Sequence, residues 1–333
     1  MKNFIRLALI AAALVPLAAC VHEYPEDGKE IDPTEIGLTL ELSTDPSITS
    51  ASVFSKSGET APYVYFVIEL YKDDYTGEPA VRHEEGAIRN SDGSASLTVT
   101  VPVHAGKYRL AAFAACVEDE TGSGCIYNLD DLGDISFASG EYAGSTALKE
   151  CYDLRMDIDL SNSEWHSEET VSGVLSAPVG RLEIISEDAA DFVTKLQTSV
   201  GQAANDETFW EDYELRWDYA LYSPVGYNVF TGMPEDSETG IGFRSDIFPL
   251  NENEVLMGYD YIFVNGEKAG VNITLSLYER ATGNLLNTYS GLTADIFRGE
   301  TTVIRGDFLT TNQGSGIGID PGFNGDINIT LPD

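Results

Sequence analysis

Residues 209–222 read Phe-Trp-Glu-Asp-Tyr-Glu-Leu-Arg-Trp-Asp-Tyr-Ala-Leu-Tyr. Tyr213, Leu215, Trp217, Tyr219 and Leu221 fall at every second position, with Glu214, Arg216 and Asp218 between them. That is the period of a half-buried strand, because successive side chains of a strand leave on opposite faces. The same period recurs at 36–42, 63–71, 95–103, 107–115, 151–160, 180–185, 254–264, 271–278 and 301–308. Short strands separated by turn-rich stretches such as Ser91-Asp92-Gly93-Ser94 and Val264-Asn265-Gly266-Glu267 argue for sandwiches. One helix is expected at 187–198. Ser186 can cap it, Glu187 and Asp188 suit its positive end, and Ala189, Phe192, Val193 and Leu196 share one face. It should pack on a sheet edge. The fold class is therefore all-β with one short helix.

A short internal repeat argues for two domains. Residues 68–78 read IELYKDDYTGE and 275–284 read LSLYERATGN, each an alternating strand ending in Leu-Tyr, a charged turn and Thr-Gly. Residues 161–178 are polar and rich in Ser and Glu, with weak strand signals, and the boundary is expected there. This gives β-sandwiches, immunoglobulin-like in kind, over 36–170 and 171–333.

The chain has 333 residues, with 55 Asp and Glu against 19 Lys and Arg, for a formal charge of −36. Since 43% of the residues are hydrophobic, the acidity belongs to a chain that can bury a core. A field of this sign repels phosphate backbones and excludes nucleic acid as a partner.

The start of the chain carries a separate signal. Lys2 and Arg6 precede an apolar run from Leu7 to Ala19, interrupted by Pro16. The run is too short to span a bilayer, which takes about 20 residues, and reads as a signal peptide over 1–19. Leu17-Ala18-Ala19-Cys20 resembles the lipobox of bacterial lipoproteins. The resemblance implies that Cys20 becomes the mature N-terminus and carries a diacylglycerol and an N-acyl chain, holding the protein on the outer membrane. Loss of Lys2 and Arg6 takes the formal charge to −38. Residues 20–35 then form an acidic tether, with Glu23, Glu26, Asp27, Glu30, Asp32 and Glu35 against one Lys29. An acidic stretch after the lipidated Cys resembles the surface-export signal of Bacteroidetes lipoproteins, and implies a body facing outward.

Chemical signatures are sparse. Three cysteines remain, and Cys116 and Cys125 bracket a loop that a disulfide can close, with Cys151 able to replace either partner. No Cys or His spacing fits zinc, and the acidic groups Asp130, Asp131, Asp134 and Asp320, Asn324, Asp326 lack EF-hand spacing, so no metal and no cofactor is expected. Hydrolase, Walker and Rossmann patterns are absent, and a non-enzymatic protein is the expectation. Trp210 lies outside the alternating face of 213–221 and is a candidate contact for a host or bacterial surface glycan.

The last residues read Gly306-Asp307-Phe308-Leu309-Thr310, then a Gly-rich turn, Ile317–Asp320, Pro321-Gly322-Phe323-Asn324-Gly325 and a final alternating stretch 326–331. This ending, the start Cys20-Val21-His22-Glu23-Tyr24-Pro25, and Ala177-Pro178-Val179-Gly180-Arg181-Leu182-Glu183-Ile184-Ile185-Ser186 with the following Asp191-Phe192-Val193 resemble the fimbrillin-associated lipoproteins, the anchor and accessory subunits of Bacteroidetes type V pili. The resemblance implies tandem transthyretin-like sandwiches, a place on a pilus or fimbrium, pilus subunits as partners through donor-strand exchange, and a part in adhesion. Ile327, Ile329 and Leu331 have the alternation of a donor strand. Stalk subunits of that family are cleaved after an Arg; here the first Arg after Cys20 is Arg82, which favours an anchor or accessory subunit that keeps its first strand.

Overall fold

The structure is a computed structural model that describes residues 34–50, 61–139, 141–196, 207–311 and 327–330. The expected signal peptide, Cys20 and nearly all of the tether lie outside the described residues. In chain order the strands of the first half are β1 (Glu35–Thr44), β2 (Tyr63–Lys72), β3 (Val81–Ile88), β4 (Ser96–His104), β5 (Lys107–Val117), β6 (Tyr127–Asn128), β7 (Ser136–Phe137), β8 (Cys151–Asp159) and β9 (Glu168–Leu175). Those of the second half are β10 (Val179–Ser186), β11 (Tyr213–Tyr219), β12 (Ser223–Asn228), β13 (Met233–Glu238), β14 (Gly242–Ser245), β15 (Phe248–Pro249), β16 (Val255–Phe263), β17 (Lys268–Glu279), β18 (Asn284–Phe297), β19 (Thr301–Gly306) and β20 (Ile327–Thr330).

Both halves follow one plan. The sheet β4-β1-β9 has β1 antiparallel to β4 and parallel to β9. The sheet β15-β16-β10-β19-β20 likewise has β10 antiparallel to β16 and parallel to β19. Each half adds a four-stranded antiparallel sheet, β3-β2-β5-β8 and β14-β11-β17-β18. The repeated Leu-Tyr-turn-Thr-Gly motif sits in the hairpins β2–β3 and β17–β18, each at one edge of its sheet.

Alternation decides which side chains enter the cores. Leu38, Leu40 and Leu42 of β1 meet Val64, Phe66 and Ile68 of β2 and Leu110, Ala112 and Ala114 of β5 in the first core. Leu182 and Ile184 of β10, Trp217 of β11, Ile273, Leu275 and Leu277 of β17 and Ile296 of β18 form the second. Every residue of β10 and β16 is buried. Leu182, Ile184, Val255 and Met257 face the second core, whereas Val179, Ile185, Tyr259 and Tyr261 join the first. The sheet that opens the second half is thus packed on both faces, with its far face against the first half.

Several elements depart from the sequence reading. β9 runs across the expected 170/171 division and pairs with β1; its Glu168-Glu169-Thr170-Val171-Ser172-Gly173 is a half-exposed edge strand with little apolar signal. The helix expected from residue 187 begins at Ala189, because Ser186 ends β10 instead of capping it; Ala189–Leu196 buries Ala189, Phe192 and Val193 and leaves Leu196 42% exposed. It is joined by the short helical turns Ser47–Ser50, Ala147–Lys149 and Glu207–Trp210. β11 ends at Tyr219, so Leu221 is 53% exposed and does not extend the buried face of Leu215, Trp217 and Tyr219.

Candidate functional site

The C-terminal edge is built around β19. Val303 and Ile304 are buried, and β20 lies parallel to this strand with Thr302 opposite Ile327, Val303 opposite Asn328, Ile304 opposite Ile329 and Arg305 opposite Thr330. The chain is pinned before it leaves the body. Asp188, at the start of the helix Ala189–Leu196, accepts from Ser186 Oγ (2.5 Å), Leu309 N (3.3 Å) and Thr310 N (2.7 Å). Phe308 N donates to Ser186 Oγ at 3.0 Å, and Asn287 Nδ2 donates to the carbonyls of Phe308 (2.7 Å) and Thr311 (2.9 Å). The Ser186 and Asp188 that suit a helix start also bind the outgoing strand end. The expected donor residues Ile327 and Ile329 therefore belong to an edge strand beside a pinned exit; Leu331 lies outside the described residues.

The second concentration of polar chemistry is at the junction between the halves. The 142–149 segment runs along β16, where Ser145 N donates to the Tyr259 carbonyl at 2.9 Å. Close approach is possible because Gly258 sits at φ +112°, and a Cβ there would meet Ser245 Oγ at 2.3 Å and Ser145 Oγ at 2.8 Å. Asp260 of β16 is the focus. Its Oδ1 accepts from Lys149 Nζ at 2.6 Å and Tyr261 N at 2.8 Å, and its Oδ2 from the Tyr142 and Tyr219 hydroxyls, each at 2.6 Å. The side chains of Lys149 and Asp260 are 2% and 0% exposed. Nζ of Lys149 lies 3.7 Å from the Tyr142 ring centroid and 5.4 Å from that of Phe137. Burial pushes the Lys149 ammonium below its ordinary value, with the Asp260 carboxylate opposing.

Two further groups cross the same boundary. Glu150 binds Arg89 and Tyr152 from the first half and the Tyr261 hydroxyl, at 3.1 Å, from the second. Arg181 donates to Glu183 at 2.8 Å and to Tyr261. Asp153 of β8 accepts from the Tyr227 hydroxyl at 2.8 Å and from Arg298 at 2.9 Å. Aromatic rings fill the space between these groups: Tyr227 stacks on Phe263 at 5.1 Å, and Phe263 lies 6.0 Å from Tyr127, which meets Phe113 of β5 edge-on. A polar cleft of about 720 Å³ opens at this boundary, bordered by Asp45, Glu267 and Arg298.

Two expectations are corrected here. Cys116, Cys125 and Cys151 are free thiols in this structure, which lacks the expected Cys116–Cys125 bond. Cys116 is enclosed in the first core, while the half-buried Cys125 thiol donates to the Tyr127 carbonyl at 3.4 Å. Burial raises both thiols above their ordinary value. Trp210 is 1% exposed, stacked on Phe192 at 5.8 Å and edge-on to Phe209, and offers no face to a glycan. It escapes the strand periodicity because it ends the helical turn Glu207–Trp210, which closes the second core. Lys149 and Asp260 leave no trace in the sequence pattern, since residues 111 positions apart have no spacing to read.

No curated protein matches the chain. Solved structures that resemble it include the fimbrial anchor protein Mfa2 from Porphyromonas gingivalis, at 12% identity and a TM-score of 0.41, covering 76% of this chain and 81% of that one. A DUF1812 protein from Bacteroides thetaiotaomicron gives 14% identity and a TM-score of 0.41 over 76% and 79%. A fimbrial assembly protein from Parabacteroides distasonis gives 9% and 0.36 over 81% and 91%. A family model matches residues 30–332, and the chain belongs to that family, DUF6562, a family of unknown function.

Proposed function

We propose that the protein is a lipid-tethered, outward-facing subunit of a fimbrial or adhesive assembly, an anchor or accessory component that joins its partner by strand addition. The observation that carries this reading is the C-terminal edge. The body is pinned through Thr311 by Asp188 and Asn287, and β20 then lies on β19 as a terminal edge strand. An edge strand offers main-chain hydrogen bonds to an incoming strand, and alternating side chains supply the specificity. Leu17-Ala18-Ala19-Cys20 supports the tether, since Cys20 stands 14 residues before Thr34, where the described body begins. The strongly acidic surface supports a solvated exterior position and keeps the body off an anionic bilayer.

The test is deletion of residues 326–333 in the producing cell. The truncated protein is expected to stay membrane-bound and folded while fimbrial subunits no longer co-purify with it from detached outer membrane. Equal recovery of those subunits with the full and truncated chains overturns the strand-addition reading. Release of a Cys20→Ala variant from the membrane fraction checks the tether separately.

A further inference from the structure

We infer that Lys149 and Asp260 are the partners of an intramolecular amide cross-link, formed without any other reactant, that ties the two halves of the protein together. Four observations converge on this pair. The amine and carboxylate are in direct contact at 2.6 Å, which puts Nζ at roughly 3–3.5 Å from Cγ, the range of a near-attack arrangement. Both side chains are sealed from solvent, and the rings of Tyr142 and Phe137 wall the amine. The oxygen that does not face the lysine, Oδ2, receives two hydroxyl donors, Tyr142 and Tyr219. The pair joins the turn Ala147–Lys149 of the first half to β16 of the second.

Each group suits a step of the condensation. In a site of low dielectric the charged pair is expensive, and transfer of one proton from Nζ to Oδ1 leaves a neutral amine beside a neutral carboxylic acid. The depressed basicity of the buried lysine favours that transfer. The nitrogen lone pair then attacks Cγ, and negative charge develops on Oδ2, where the two tyrosine hydroxyls already point. Oδ1 leaves with its proton and a second proton from nitrogen, as water, while the new C–N bond keeps one hydrogen on nitrogen. One amine and one acid thus give one amide and one water, with no change of oxidation state. The same exclusion of solvent that promotes the step protects the product from hydrolysis. The bond belongs to the junction and is independent of how the C-terminal strand is used.

Peptide mapping of the full chain, purified folded and then denatured and digested with trypsin, decides the matter. The expected product is a branched peptide in which residues 110–155, uncut after Lys149, carry residues 245–268 through Asp260, with a mass one water below the sum of the two linear peptides. It should be absent from Lys149→Arg. Recovery of linear peptides 110–149 and 245–268 at their unmodified masses from the wild-type protein means an ion pair only and overturns the inference. The wild-type digest is decisive by itself, so the outcome does not depend on whether the variant folds.

Discussion

Arg298, in the turn between β18 and β19, donates to Asp153 on β8 at 2.9 Å across 145 residues of sequence. Asp153 is almost fully buried, and the Tyr227 hydroxyl bridges the pair, donating to Asp153 at 2.8 Å and accepting from Arg298 at 3.1 Å. The contact couples the two halves through a buried charge whose other cation, Arg155 of the same strand, stands farther off at 3.9 Å. Arg298→Met is expected to lower the unfolding free energy by about 2–3 kcal/mol, because the buried carboxylate loses its close cation and keeps only Arg155 at 3.9 Å and the Tyr227 hydroxyl. Tyr227→Phe, which removes one neutral donor, should cost about 1–2 kcal/mol. Denaturant unfolding of the two variants checks the order, and an Arg298→Met protein as stable as Tyr227→Phe contradicts it.

Trp210 closes the second core against Phe192, Phe209 and Tyr213. Trp210→Ala should destabilise the protein by about 3–5 kcal/mol, the ordinary cost of emptying a buried aromatic site. Its retention by polysaccharide in native gels should match that of wild type at temperatures where both are folded. A selective loss of retention in a fully stable variant would restore a surface role.

Gly258 holds a left-handed conformation at the point where the 142–149 segment meets β16. Gly258→Ala combines backbone strain with a collision at Ser245 and Ser145, for an expected loss of about 2 kcal/mol. A fall in thermal midpoint without a change in secondary structure by circular dichroism is the predicted signature.

Three aspartates use the chain's acidity to fix turns. Asp92 accepts from the hydroxyl and backbone N–H of Ser94, Asp119 from those of Thr121, and Asp159 from those of Ser161. These hydrogen bonds hold each carboxyl below the ordinary 3.8. A folded-state value below the unfolded one gives stability that is present above pH 3.8 and is lost as the pH falls through the lowered values. Carboxyl-resolved NMR titration should place all three below 3.8, and Asp119→Asn should remove its share of the acid transition. Titration at or above 3.8 contradicts the turn assignment.

The thiols give a direct count. With the protein unfolded under non-reducing conditions, Cys116, Cys125 and Cys151 should all be alkylated. In the folded protein Cys116 and Cys151 should resist the reagent, because both are enclosed. Protection of a pair after unfolding would reinstate a disulfide.

The chain's local pattern carried most of the architecture. Alternation at 63–71, 107–115 and 271–278 located central strands, because a strand with one or both faces buried must place apolar side chains at a fixed period. The apolar spacing of Ala189, Phe192 and Val193 marked the helix, but its start was misplaced by two residues, because Ser186 ends β10 and its hydroxyl engages Asp188 and Phe308 N rather than a helix N–H. The Leu-Tyr-turn-Thr-Gly repeat pointed to corresponding edge hairpins, since turn geometry is also local. β9 was illegible because an exposed edge strand needs main-chain partners more than apolar side chains.

Residue order alone thus yields a β-rich, strongly acidic body in two similar halves. It takes the fold to put Trp210 in the core, to keep Cys116, Cys125 and Cys151 apart as thiols, and to bring Lys149 to Asp260 and Arg298 to Asp153. The physical reason is range. Periodicity, capping and turn chemistry are enforced between near neighbours in the chain and leave a readable trace. A buried charge is enforced by whatever the fold brings beside it, and its partner is fixed only when solvent has been excluded and the dielectric has fallen.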